Sequence, residues 1–231
     1  MAVSLTVRSG ASTTVVGIST SSSVFVGADS LVGSDGTSAA GRRCKIELKG
    51  SYAAAMAGLL ADSATSFDAR VQIRKALTTP GDLIHKVRTF EQLIREPLQR
   101  SLNYGRHHAP AVFAAKYLGM KALQTIFGGV EGGRPTMIVS TLRVAEDGGL
   151  ILEKAKVLGP GQVYVFGESA AIANYQTGNP NWTAAEPDAI IRKFLALEIE
   201  DKPNLVGAPA SILQITSGIS RWVDPGQCGS R

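Results

Sequence analysis

This chain is poor in cysteine, histidine and aromatic rings, and it has no long apolar run. Two of its 231 residues are Cys, three are His, and Phe, Trp and Tyr together make up 6%. Two cysteines, Cys44 and Cys228, argue against the disulfide framework of a small secreted domain. Cys44 stands beside Lys45 and reads as a small buried hydrophobe rather than a redox centre. His107 and His108 are adjacent, but no third ligand follows at a metal spacing, so a plain loop is expected there and no metal. No apolar stretch approaches the length of a membrane span. The first twelve residues, MAVSLTVRSGAS, are too short and too polar for a secretory signal, so the expected location is the cytoplasm. Charge of one sign is also scarce. The net charge is +5, with 24 Lys and Arg scattered among 19 Asp and Glu. There is no basic stripe with interleaved aromatics, so nucleic acid is not an expected partner.

What the chain has is an ordinary globular composition, 44% hydrophobic and 19% charged, at a length that one domain can fill. The informative stretch is Thr13–Lys45, TTVVGISTSSSVFVGADSLVGSDGTSAAGRRCK. Val15–Ile18 and Val24–Ala28 are apolar runs joined by the polar turn Ser19–Ser23, which reads as a two-strand hairpin. A hairpin brings the start of its first strand to the end of its second. Thr13 and Asp29 are therefore expected together, and the Gly- and Ser-rich loop that follows lets Lys45 return to the same end. A Thr hydroxyl is a weak nucleophile until a base takes its proton. A free α-amine on the same residue, with a pKa of about 7.7–8.0, can be that base. A Lys ammonium favours deprotonation nearby, and a carboxylate keeps that ammonium charged and oriented. Gly58 lies in YAAAMAGLLAD, read as a strand turning into a helix, where its N–H is a candidate oxyanion donor.

The pattern TTxxGI, GADS, RRCKIEL and AGLLAD resembles the proteasome β-type family of N-terminal-nucleophile hydrolases, which includes HslV and Anbu. Sixteen residues separate Thr13 from Asp29, and sixteen separate Asp29 from Lys45; these are the spacings of that family. VFGESAAIANY and PNLVGAPASILQI resemble the corresponding parts of its Anbu branch. The resemblance covers Thr13 to about Val223. It implies a four-layer αββα sandwich, an α+β fold of two antiparallel sheets flanked by helices. It also implies Ser169 and Asp201 as supporting residues, and Val32, Arg43, Glu47 and Met56 or Ala57 as substrate-pocket residues.

The remaining elements follow from periodicity. Lys45–Leu48 and Ser51–Ala57 read as strands, and Asp62–Leu77 as a helix. Asp82 caps a second helix with a stripe from Leu83 to Leu102, which Pro97 should kink or shorten. Ala111–Phe127 is expected to be a helix. Thr136–Val144, Leu150–Val157 and Gln162–Phe166 read as strands, and Ala170–Tyr175 and Thr183–Glu198 as helices. Ser211–Thr216 and Ile219–Val223 close the fold. Three parts are expected: residues 1–12 as a propeptide or extension, 13–223 as one domain, and 224–231 as a flexible tail.

The function this implies is a threonine-type peptidase or amidase that needs no cofactor and acts through Thr13 once residues 1–12 are removed. Its partners would be a peptide or protein substrate and further copies of itself in a ring or open spiral; no ATPase or other regulator can be named. Ser12 stands where self-processing relatives carry Gly. Two alternatives remain open: an unprocessed, inactive ring subunit, and a small-molecule amide hydrolase on the same fold.

Overall fold

The first hairpin forms as its residues dictate. In the computed structural model, which describes residues 13–34 and 37–228, β1 (Thr14–Ser19) and β2 (Val24–Ala28) pair antiparallel, Val15 opposite Ala28 and Ser19 opposite Val24. Every residue of both strands is buried, which explains the unbroken apolar runs: each face is covered, so no alternation is needed. The chain continues through the hairpin β3 (Leu31–Ser34) and β4 (Thr37–Arg42), then β5 (Ile46–Lys49), β6 (Tyr52–Gly58) and the short pair β7 (Ala61–Asp62) and β8 (Phe67–Asp68). Helices α1 (Ala69–Thr78), α2 (Leu83–His108) and α3 (Pro110–Tyr117) follow, then β9 (Lys121–Glu131), β10 (Arg134–Val144), β11 (Leu150–Leu152), β12 (Lys156–Leu158) and β13 (Gln162–Gly167). The last third holds α4 (Ala170–Gly178), α5 (Pro187–Asp201), β14 (Ser211–Thr216) and β15 (Ile219–Asp224).

Two large sheets result. One has the order β13-β1-β2-β14-β15, and the other β11-β10-β9-β6-β5, with β12 also on β10. Val15, Val26, Ala55, Ala57, Ile126, Phe166 and Leu213 pack between them. Ile73, Phe90, Ile94, Leu98 and Phe113 of α1–α3 cover the outer face of the six-stranded sheet, against Met56, Leu123 and Phe127. Ile172 of α4 and Ile191, Phe194 and Leu195 of α5 cover the other sheet, against Val16, Ile18, Val163 and Val165. Helices, sheet, sheet and helices make the αββα sandwich that was expected.

Four expectations are corrected. The helix expected over Asp62–Leu77 begins only at Ala69. The Asp68 carboxylate accepts from Arg70 N–H as the N-cap, while Asp62 is spent on a turn, accepting from Ala64 N–H and Thr65 Oγ1. Ala111–Phe127 is not one helix: α3 stops at Tyr117 and β9 takes over at Lys121. The helix expected over Thr183–Glu198 runs instead over Pro187–Asp201, with Pro187 in its first turn. Cys44 is not a free buried thiol: it forms a disulfide with Cys228, Cα–Cα 4.7 Å, closing 184 residues of chain. Within the tail, Gly226–Cys228 is a turn of 3₁₀ helix, anchored by the Ser211 Oγ bond to Pro225 O at 2.9 Å. Pro97 lies inside α2, which runs on to His108. Residues 1–12 lie outside the described residues.

Candidate active site

Three elements deliver the site to one edge of the sandwich: the residue before β1, the residue after β2 and the residue before β5. The Lys45 Nζ donates to Thr13 Oγ1 at 2.8 Å and to both Asp29 oxygens, Oδ1 at 2.9 Å and Oδ2 at 3.0 Å. All three ammonium protons therefore have acceptors. Asp29 is held further by backbone: Oδ1 accepts from Thr14 N–H at 2.9 Å, and Oδ2 from Leu31 N–H at 3.0 Å and Gly207 N–H at 3.1 Å. Thr13, Asp29 and Lys45 are each no more than 3% exposed. Burial pulls the Lys45 ammonium below the ordinary lysine range, and the charge of Asp29 and its hydrogen bond pull the other way. A lysine so placed stabilises negative charge on the Thr13 oxygen and gives up its own proton more readily than a free one.

Gly58 ends β6 with φ +120, and a Cβ there would stand 2.2 Å from Ala122 O. Only glycine fits. Leu59 N–H donates to Ala122 O at 2.8 Å while Gly58 is registered with Leu123. That makes Gly58–Leu123 a non-hydrogen-bonded pair, so the Gly58 N–H points away from β9, to the side on which β5 lies. The N–H is thus not used in the pairing with β9. The helix expected behind it is absent: β7 follows, and α1 begins only at Ala69. A helix dipole therefore contributes nothing at Gly58.

The residues implied only by resemblance divide. Ala57 faces the space between the sheets, whereas Met56, one step along the strand, packs among the helices. The alternation of a strand separates the two, and of the pair Ala57 lies on the interior face. Glu47 is buried and takes a bidentate bond from Arg74 of α1, 2.8 Å on each arm. Arg43 is exposed, its N–H bonded to Ser30 O at 2.9 Å. Val32 lies on β3, opposite Gly41. Ser169 stands before α4, and its side chain makes no capping bond. Asp201 ends α5 in an exposed position.

The neighbours of those last two contact the Thr13 backbone and each other. Glu168 N–H donates to Thr13 O at 2.8 Å, and Thr14 Oγ1 donates to Glu168 O at 2.9 Å. The Glu168 carboxylate pairs with Lys202. Gly167 has φ +85, and a Cβ on it would lie 1.8 Å from Thr13 O. Residue type alone does not single out Gly167, Glu168, Lys202 and Gly207; the signal in the sequence is a glycine at the strand-to-helix junction, Gly167, and another, Gly207, between a helix and a strand. His107 and His108 close α2 with His108 stacked on Tyr104, and no group of three or more His, Cys, Asp or Glu among the described residues is arranged to hold a metal. No helix among them is long and apolar enough to cross a membrane.

An αββα sandwich with two antiparallel inner sheets is the N-terminal-nucleophile hydrolase fold. Over 91% of its length the chain is similar to a solved structure of the Anbu (Gly-1) mutant from Hyphomicrobium sp. strain MC1, covering 87% of that chain with a TM-score of 0.55 and 14% sequence identity. The likeness is one of fold. No family model matches the sequence, and no curated protein does.

Proposed function

We propose that this protein is a threonine-type amide hydrolase acting on peptides, with Thr13 as its nucleophile after cleavage of the Ser12–Thr13 bond. The observation that carries the reading is the buried chain Thr13 Oγ1–Lys45 Nζ–Asp29, with 2.8 and 2.9 Å between its members. The Thr13 oxygen attacks the amide carbonyl carbon, and its proton passes to the freed α-amine. The Gly58 N–H receives the oxyanion. The tetrahedral intermediate collapses to an ester on Thr13, and the leaving amine departs with the proton. Water then hydrolyses the ester. Cleavage of Ser12–Thr13 uses the same hydroxyl against the Ser12 carbonyl. A homo-oligomer, ring or open spiral, belongs to the same proposal and rests on the likeness of fold.

The test is turnover of unstructured peptides by the wild-type chain and by Thr13→Ala. Loss of a catalytic nucleophile is expected to lower kcat by about 10³-fold or more. Equal turnover by both chains would refute the assignment.

A further inference from the structure

The Glu168–Lys202 pair lies outside the Thr13–Lys45–Asp29 group but is wired to both of its ends. On one side, Glu168 grips the nucleophile's backbone: its N–H holds Thr13 O, and its carbonyl holds the Thr14 hydroxyl. The missing Cβ of Gly167 permits that approach. On the other side, Lys202 caps α5 and opens a tight turn. Its N–H donates to Glu198 O, and its carbonyl accepts from Leu205 and Val206 N–H, each at 2.9 Å. The turn ends at Gly207, whose N–H donates to Asp29 Oδ2 at 3.1 Å. The Gly207 carbonyl accepts from Ser30 N–H at 3.0 Å and Ser30 Oγ at 3.2 Å. A closed circuit follows: Thr13 to Glu168, Glu168 to Lys202, the turn to Gly207, Gly207 to Asp29, Asp29 to Lys45, and Lys45 back to Thr13.

We propose that Glu168 and Lys202 are positioning residues for the nucleophile. Their ion pair joins the hold on the Thr13 backbone to the hold on Asp29, so that hydroxyl, ammonium and carboxylate share one frame. The proposal rests on the reading of Thr13 as nucleophile. The Lys202 and Glu168 side chains are 33% and 16% exposed, so solvent screens the pair and it adds little to global stability. Its worth lies in alignment, to which amide hydrolysis is steeply sensitive.

The test compares the wild type with Lys202→Met, Lys202→Arg and Glu168→Gln, by residue-resolved hydrogen exchange and steady-state kinetics. In Lys202→Met and Glu168→Gln, exchange at both the Glu168 and Gly207 N–H groups is expected to rise about fivefold or more while the melting temperature holds. The kcat is expected to fall by about tenfold or more with KM within about twofold, because alignment acts on the chemical step. Lys202→Arg keeps the charge and should restore both readouts. Unchanged exchange, faster exchange at only one of the two amides, or a change in KM alone would overturn the proposal. If the wild type shows no Thr13-dependent turnover, the peptidase reading fails, and the exchange data still decide whether the pair couples the two holds.

Discussion

Lys45 sets the electrostatics of the site. Its ammonium is 1% exposed, and such burial costs several kcal/mol unless a partner offsets it. Asp29 is that partner, fixed by three N–H groups that hold its position whatever the lysine does. The lowered folded pKa means that the unfolded chain binds more protons in the window below the ordinary lysine value, so this residue makes stability rise with pH there. Glu198 of α5 has the opposite sign. Burial raises its pKa, as do the nearby Asp201 and Glu168, while the Ile172 N–H bond and Lys202 act against the rise. Above the ordinary glutamate value of about 4.3, and up to the raised value, the folded chain therefore holds more protons. Stability falls as pH rises through that window. Glu198→Gln keeps an oxygen for Ile172 N–H, bonded at 2.9 Å in the wild type, and has no charge to desolvate. Its unfolding midpoint in urea is expected to match or exceed that of the wild type at neutral pH, with a flatter profile as pH rises above the ordinary glutamate value. A midpoint well below wild type with an unchanged profile would contradict this assignment.

At the scale of elements, legibility followed solvent contact and cap chemistry. The β1–β2 hairpin could be read because a polar turn separates two compact apolar runs, and with it came Thr13, Asp29 and Lys45. β9 could not. Nine of its eleven residues are buried, so it has no alternation, and its Ala and Leu fit a helix equally well. The break falls at Gly119, whose φ of +70 only the backbone reveals. The Glu168–Lys202 pair spans 34 positions, and residue type alone does not fix which side chains meet across such a separation. The disulfide was invisible for the same reason: 184 positions separate its cysteines. It ties the last described turn to the residue beside Lys45. A disulfide of this kind adds about 2–4 kcal/mol in typical cases. Reduction is therefore expected to lower the melting temperature by about 5–15 °C for a chain of this size, and Cys228→Ser should melt where the reduced wild type does. A melting temperature indifferent to reductant would show that the bond contributes nothing. Such bonds persist in oxidising compartments and are rare in the cytosol, so this measurement also bears on the cytoplasmic expectation.

At the scale of the whole molecule, the proposed ring or spiral calls for more than one copy, and most soluble oligomers are symmetric homo-oligomers. Light scattering at about micromolar concentration is expected to give a multiple of the mass of one processed chain, and a monomer mass would refute the ring or spiral. The central claim, however, concerns one bond. With an amide on its nitrogen Thr13 has no basic amine, so an active enzyme must be a processed one. Intact mass of the purified protein tests this most directly. The account predicts a wild-type chain that begins at Thr13 and a Thr13→Ala chain that stays full length and inactive. A full-length wild-type chain that still hydrolyses amides would contradict it, because the nucleophile would then be a residue other than Thr13.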